Sequence, residues 1–89
     1  MLEQQITVSN RLGLHARASA KLVQLVHGFK STVWLVSDSR EVNAQSIMGV
    51  MLLAAGPGTT LTVRADGPDE AQAMEAVLAL FARKFDEGD

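Results

Sequence analysis

In the segment TTLTVRAD at residues 59–66, polar and apolar side chains alternate strictly from Thr60 onwards. A period of two residues places its apolar side chains on one face of a β-strand and its threonines and charges on the other. Residues 2–9 repeat this alternation, and 31–37 are rich in β-branched residues. A turn at 38–39 leads into a shorter predicted strand, 40–44. Since each strand offers one apolar face, the chain requires a sheet that is covered on one side only.

The segments between these strands have their apolar residues at helical spacing. The first predicted helix covers residues 16–27, with Gly28 at the C′ position as its stop. The second helix begins after Ser46, a residue suited to an N-cap, and runs to about Ala54. The glycines of GPG at 56–58 then end it.

The longest predicted helix covers residues 68–85. Acids in its first turn and bases in its last suit the two ends of the helix dipole, and a proline is well tolerated at its start. These residues are Pro68, Asp69, Glu70, Arg83 and Lys84. The predicted apolar stripe consists of Ala71, Met74, Val77, Leu78, Phe81 and Phe85.

The predicted element order is therefore β-α-β-β-α-β-α. The fold class that accommodates it is α+β, an open-faced two-layer sandwich in which three helices cover one face of a four-stranded antiparallel sheet. A chain of 89 residues builds one core rather than two. We expect a single domain spanning residues 1–89.

Composition excludes several function classes. A net charge of −2 and a pI near 5.6 argue against a nucleic-acid binder that neutralises phosphates. The chain contains no cysteine, so it forms neither a disulfide nor a thiolate metal site. The N-terminus lacks a signal-peptide pattern, and the longest apolar run, 47–55, is shorter than the roughly 20 residues that cross a bilayer. We expect a cytoplasmic protein that binds no nucleic acid and does not insert into membranes.

The segment GLHARASA at residues 13–20 carries the strongest chemical signal. His15 lies at the start of the first helix, where unpaired amides and the helix dipole favour an anion. Arg17, in the first turn, can grip a phosphate with two parallel hydrogen bonds. The dipole also disfavours a further positive charge on the imidazole, which keeps a ring nitrogen available for attack. The small residues Ala16, Ala18, Ser19 and Ala20 leave the histidine open to a large partner.

A plain structural interpretation remains open at this stage. A histidine and an arginine are common in first helical turns, although an arginine there opposes the dipole preference for acids. His27 lies in the last turn of the same helix, where a histidine is electrostatically favourable, and we interpret it as structural.

Two short motifs and one longer segment carry a resemblance that covers essentially the whole chain. GLHARASA at 13–20 and AQSIMGVMLLAA at 44–55, followed by GTTLTVRADGPDEAQAM at 58–74, resemble HPr, the histidine-containing phosphocarrier family of the bacterial phosphoenolpyruvate:sugar phosphotransferase system. The resemblance implies the HPr-like fold. It also implies that His15 accepts a phosphoryl group on Nδ1 from phosphorylated enzyme I and passes it to an enzyme IIA domain. The chain would then be a phosphocarrier rather than an enzyme with its own turnover. We would also expect it to be a monomer that needs no cofactor and no metal. Its alternative role would be mainly regulatory, as a nitrogen-type phosphocarrier without sugar transport.

The resemblance assigns roles to two further residues. Arg17 would steady the phosphoryl group. Ser46 would match the regulatory serine phosphorylated by an ATP-dependent HPr kinase/phosphorylase. A phosphate at this N-cap gains from the helix dipole and adds about −1.5 to −2 of charge. The plain alternative is an N-cap without regulation.

The predicted second helix is apolar nearly all round, which exceeds what one buried face requires. Ile47, Met48 and Met51 are therefore candidates for an exposed docking patch, together with Ala16 and Ala20 near the histidine. Methionine side chains adapt to several partners. The alternative for Ile47 or Met51 is an ordinary core position.

The sequence departs from the resemblance at Ala18, where the family usually has proline after the arginine. Alanine keeps the helix intact and leaves the rigidity of the first turn and the transfer rate open.

Two other functional classes are found among small α+β proteins, but the sequence fits them less well. A small hydrolase of the acylphosphatase kind would need a second acid or base, and none accompanies His15. A nucleic-acid module would need stacking aromatics, but the chain has three Phe, one Trp and no Tyr.

Overall fold

The computed structural model describes residues 1–38 and 40–86, and Ser39 of the predicted turn lies outside the described residues. The elements follow the predicted order. They are β1 (Leu2–Thr7), α1 (Ala16–His27), β2 (Thr32–Ser37), β3 (Arg40–Asn43), α2 (Ile47–Leu52), β4 (Thr60–Asp66) and α3 (Glu70–Ala82), followed by a short 3₁₀ turn over Lys84–Asp86.

The four strands form one antiparallel sheet in the order β1-β4-β2-β3. β4 lies between β1 and β2, with Gln4 opposite Val63 on one side and Leu35 opposite Val63 on the other. The predicted fold class is confirmed: the sheet carries three helices in the arrangement of known α+β proteins. No helix among the described residues has the length and apolarity needed to cross a membrane.

The core lies between the sheet and the helices. Leu61, Val63 and Ala65 are fully buried, as their alternation predicted. On the opposite, open face, the Arg64 guanidinium donates to Glu3 at 2.6 Å and to Glu41 at 2.5 Å, so ion pairs connect β1, β4 and β3. One face of the sheet is therefore apolar and covered, and the other is charged.

α3 is shorter than the predicted helix at both ends. Pro68 precedes it, and the Asp69 carboxylate accepts hydrogen bonds from Lys30 N–H and from Ser31 instead of capping its own helix. At the other end Arg83 is the C-cap and Lys84 lies outside the helix.

The chain turns sharply after α3. Lys84 and Phe85 both adopt a φ of +56°, which places Phe85 in the core against Phe81, at 4.8 Å between ring centroids. The buried stripe also differs from the prediction: Ala71 is exposed and Leu78 is half-buried, whereas Ala73 and Leu80 are buried.

The end of α2 differs from expectation in position, and the end of α1 differs only in its backbone conformation. α2 ends at Leu52 rather than Ala54, because Ala54 takes a φ of +51° and the Arg40 guanidinium donates to the Leu52 carbonyl at 2.6 Å. Gly28 does end α1, but with φ −77° and ψ −5°. A right-handed conformation at Gly28 means that this stop does not use the left-handed freedom of glycine.

α2 runs antiparallel to α1. The Leu14 N–H, just before α1, donates to the Ala55 carbonyl, just after α2, at 2.9 Å. At the other end, Nε2 of His27 lies 3.4 Å from the Gln45 carbonyl, just before α2. The end of α2 therefore lies at the beginning of α1, where His15 is located.

Candidate functional site

His15 is the N-cap of α1. Its backbone is extended, with φ −76° and ψ −178°, and its carbonyl accepts the first helical hydrogen bond, from Ser19 N–H at 2.8 Å. Its Nδ1 accepts a hydrogen bond from the Arg17 N–H at 3.3 Å. The lone pair of Nδ1 is therefore directed at the positive end of the helix, where an anion is favoured.

The segment before His15 is tightly held. Gly13 has a φ of +66°, and a Cβ built on it would lie 2.4 Å from the Ala55 carbonyl oxygen. Only glycine combines this conformation with so close a contact between backbones. The Ser19 hydroxyl also donates to the Leu14 carbonyl at 3.1 Å. Contacts from both sides therefore fix where α1 begins and how the imidazole is presented.

The small residues after His15 divide into two groups. Ala18 and Ser19 are fully buried, which corrects the expectation that they keep the histidine open. Ala16 is exposed and Ala20 is half-buried, so these two are the small residues on the accessible side. At helical spacing, residues 16 and 20 lie on one face of α1.

His15 lies in an open depression of the surface, and the described residues at its rim are predominantly positive. Lys21 anchors the C-terminal turn to it, since its ammonium donates to the Phe85 carbonyl at 2.7 Å and lies 3.9 Å from Asp86 Oδ2. The depression is lined by Arg11, Leu12, His15, Ala16, Arg17, Lys21 and Asp86.

The sequence predicted three of these residues, His15, Ala16 and Arg17. It did not predict Asp86, which joins them through the turn after α3. Lys21 is one helical turn beyond Arg17, and this spacing is the signal that would have identified it. Arg11 and Leu12 directly precede Gly13, and this position in the sequence is the signal that would have identified them. The close contact of Gly13 with the Ala55 backbone holds this segment beside His15.

α2 exposes an apolar surface, the α2 patch, formed by Ile47, Met48, Met51 and Leu52. Met48 is 71% exposed and Leu52 is 61% exposed, while Ile47 and Met51 are exposed by 41% and 40%. The alternative that Ile47 or Met51 belongs to the core is therefore wrong, and Val50 supplies the buried contact of this helix. Leu52 is a member that the sequence reasoning missed.

Ser46 caps α2 at the end that is distant from His15. Its hydroxyl oxygen accepts a hydrogen bond from Gly49 N–H at 3.0 Å, and its side chain is exposed. It follows Gln45, whose carbonyl lies beside His27 at the end of α1. α1 has 12 residues and is therefore about 18 Å long. Ser46 and His15 thus lie near opposite ends of the paired helices.

The described residues contain no group of three or more His, Asp or Glu side chains that could hold a metal ion.

Comparisons with known proteins give one consistent result. A family model described as "PTS HPr component phosphorylation site" matches residues 2–83. The phosphocarrier protein HPr of Cupriavidus necator is 57% identical over 89 residues, which is 100% of both chains. The phosphocarrier protein NPr of Shewanella violacea is 41% identical over 86 residues, covering 97% of this chain and 94% of the relative. A crystal structure of HPr from Thermoanaerobacter tengcongensis superposes with a TM-score of 0.96 at 40% identity, covering 100% of each chain.

Proposed function

Since this chain belongs to the HPr family, the phosphocarriers of the phosphotransferase system, we propose that His15 carries the phosphoryl group from enzyme I to enzyme IIA proteins. Its relatives are phosphocarriers and not catalytic enzymes, and the family implies enzyme I and enzyme IIA as partners. The observation that supports His15 most strongly is the hydrogen bond between its Nδ1 and the Arg17 N–H.

Transfer to His15 exchanges one P–N bond for another. Nδ1, unprotonated and facing α1, attacks the phosphorus of the donor's phosphohistidine. The new P–N bond forms as the old one breaks, and the donor imidazole leaves with the electron pair. The Arg17 N–H then loses Nδ1 as its acceptor and donates to a phosphoryl oxygen instead. The Arg17 N–H at the start of α1 therefore has a hydrogen-bond acceptor both before and after transfer.

Arg17 steadies the phosphoryl group in this proposal. Its side chain lines the same depression as the imidazole. A planar guanidinium can bind two phosphoryl oxygens at once, a geometry that lysine does not reproduce.

The α2 patch and the two accessible alanines, Ala16 and Ala20, form the proposed docking surface. α2 ends beside the start of α1, so Met51 and Leu52 lie at the end of the α2 patch that is nearer to His15. Burial of these residues by a partner would place the two reacting histidines in contact.

Ser46 is proposed as a regulatory phosphorylation site for an HPr kinase/phosphorylase. Its hydroxyl is exposed, and it lies next to Ile47 and Met48 rather than next to His15. A phosphate here would add charge at the edge of the α2 patch and weaken the docking of acidic partners without touching the chemistry at Nδ1.

We further propose a monomeric, cytoplasmic protein of one domain that serves sugar transport. The higher identity to an HPr, 57%, than to an NPr, 41%, supports transport over the nitrogen-type role. Phosphoryl transfer to a sugar-specific enzyme IIA, measured against a nitrogen-type IIA, decides between the two roles. Sedimentation at micromolar concentration decides the oligomeric state.

The decisive test is mass spectrometry after incubation with enzyme I, phosphoenolpyruvate and Mg²⁺. We expect one acid-labile phosphate on the native protein, none on His15→Ala, and one on His27→Ala, the matched control at the other end of α1. A native protein without phosphate, beside an enzyme I that is active on another HPr, would contradict the carrier role.

A further inference from the structure

The turn at residues 10–13 adjoins the depression around His15, and the proposed cycle assigns it no role. The Asn10 side-chain amide donates to the Gly13 carbonyl at 2.7 Å, and the Gly13 N–H donates to the Asn10 carbonyl at 3.2 Å. Asn10 is fully buried, and Gly13 lies against Ala55. Both anchors are inside the protein, so the two residues between them, Arg11 and Leu12, are held at a fixed place on the surface.

Leu12 is 65% exposed, more than any member of the α2 patch except Met48. It lines the depression together with His15. An exposed leucine on a rigid turn offers apolar area to a partner without the entropic cost of ordering a loop. Exposed apolar residues beside a functional site are typical of binding surfaces.

Arg11 gives the same turn a positive charge. Among the described residues that line the depression, Arg11, Arg17 and Lys21 outnumber the one carboxylate, Asp86, although the whole chain has a net charge of −2. This local excess complements a negatively charged protein surface.

We propose that Arg11 and Leu12 form a second docking contact, additional to the α2 patch, for the phosphoryl-donor protein. The contact rests on the proposed carrier function of His15. The donor approaches with a phosphoryl dianion on its histidine. At this stage His15 carries no phosphoryl group, so the positive charge of the rim is at its largest. After transfer, the phosphoryl group on His15 offsets much of that charge before an acceptor arrives. Arg11 therefore favours the donor step over the acceptor step, and Leu12 supplies apolar contact.

Two matched pairs of variants test the contact. Leu12→Ala is compared with Leu2→Ala, which shortens another exposed leucine at the far end of β1. Arg11→Gln is compared with Lys30→Gln, which removes the same charge beyond the other end of α1. All four side chains are at least partly exposed, so thermal unfolding should show that each variant folds as the native protein does.

The readout is steady-state phosphorylation by enzyme I and phosphoenolpyruvate, with each variant as the substrate. We expect Leu12→Ala to raise KM about fivefold to tenfold at little changed kcat, while Leu2→Ala leaves KM unchanged. We expect Arg11→Gln to lower kcat/KM about threefold at low salt, more than Lys30→Gln, with the difference vanishing at high salt. Transfer from phosphorylated Arg11→Gln to an enzyme IIA should change less than the donor step.

A native-like KM for Leu12→Ala and a native-like kcat/KM for Arg11→Gln at low salt would overturn the docking contact while leaving the carrier role intact. A shorter lifetime of phosphorylated His15 in isolated Arg11→Gln would also overturn it, because Arg11 would then be a ligand of the phosphoryl group. A native protein that accepts no phosphate in the same assay would overturn both proposals.

Discussion

The backbone N–H of Arg17 donates to Nδ1 of His15 over 3.3 Å, so the proposed phosphoryl acceptor is also the N-cap of α1. Capping and the proposed phosphoryl transfer thus use the same lone pair of Nδ1. This double use means that a substitution at residue 15 changes folding stability as well as chemistry, and the two effects are separable.

His15→Ala removes both functions, whereas His15→Asn retains a capping oxygen. We expect the alanine variant to lose about 0.5–2 kcal/mol of unfolding free energy and the asparagine variant to regain most of it. Neither should accept phosphate from enzyme I. Urea unfolding followed by mass spectrometry checks both, and a phosphorylated His15→Asn protein would contradict the assignment.

Arg17→Lys keeps the charge at residue 17 but not the planar guanidinium. We expect kcat/KM for phosphorylation by enzyme I to fall about tenfold or more, because a lysine does not hold two phosphoryl oxygens in a fixed geometry. Arg17 is exposed, so the unfolding midpoint should stay unchanged. Transfer kinetics at equal ionic strength measure the effect, and a native rate would remove Arg17 from the site.

Ser46→Asp and Ser46→Asn separate charge from capping, because both side chains cap helices well. We expect both variants to remain about as stable as the native protein, while Ser46→Ala loses about 1 kcal/mol. Only Ser46→Asp should raise the KM for enzyme I. Equal KM values for the aspartate and asparagine variants would show that charge at this position does not regulate docking.

Gly13→Ala tests the close contact that fixes the start of α1. Two control variants separate the steric contact from the unfavourable backbone conformation. At Gly58 an added Cβ meets no atom within 4 Å, but φ is +87°; at Gly56 an added Cβ meets no atom within 4 Å and φ is not in the left-handed region. We expect Gly56→Ala to be close to neutral, Gly58→Ala to lose about 1 kcal/mol, and Gly13→Ala to lose clearly more. Chemical denaturation ranks the three, and equal losses at 13 and 58 would contradict the contact with Ala55.

Acid should destabilise the protein through the segment that begins α3. The Ser31 hydroxyl and the Lys30 N–H hold the pKa of Asp69 below its ordinary value of 3.8. The Gly67 N–H and the terminal ammonium hold the pKa of Glu70 below 4.5. Both carboxyls bind protons less tightly when folded. Their stabilisation is therefore full above these ordinary values and is lost as the pH falls through the lowered folded pKa values.

Thermal unfolding between about pH 6 and pH 2 measures this loss. Asp69→Asn should be less stable than the native protein at the upper end, and the difference should narrow as the pH falls. A constant difference would show that Asp69 does not contribute through its charge.

The amino terminus contributes to stability with the opposite pH dependence. The Glu70 carboxylate raises the pKa of the Met1 ammonium above its ordinary value of 8.0. Its contribution is therefore present below that value and is lost as the pH rises through the raised pKa. Acetylation of the terminus should remove this alkaline dependence of the unfolding midpoint.

Local patterns predicted the elements whose signals lie within a few residues. The alternation in β4, the bounds of α1 and the N-cap at Ser46 all follow from neighbouring side chains. His15 was identified for the same reason, because a histidine next to a helix start is visible in the order of residues. The identity of the family followed from two such short segments.

Contacts between distant residues decided the rest. α3 begins late because Asp69 binds Ser31, 38 residues earlier, and it ends early because Phe85 turns into the core. The antiparallel pairing of α1 with α2 sets Ser46 apart from His15, and the turn after α3 brings Asp86 into the depression. The sequence by itself determined the order of the elements, the proposed acceptor His15 and its place at the start of α1, since these depend on local backbone chemistry. Tertiary packing decided that Asp86 joins the charges around His15 and that Ser46 lies apart from it, because residues far apart in the chain meet only in the folded protein.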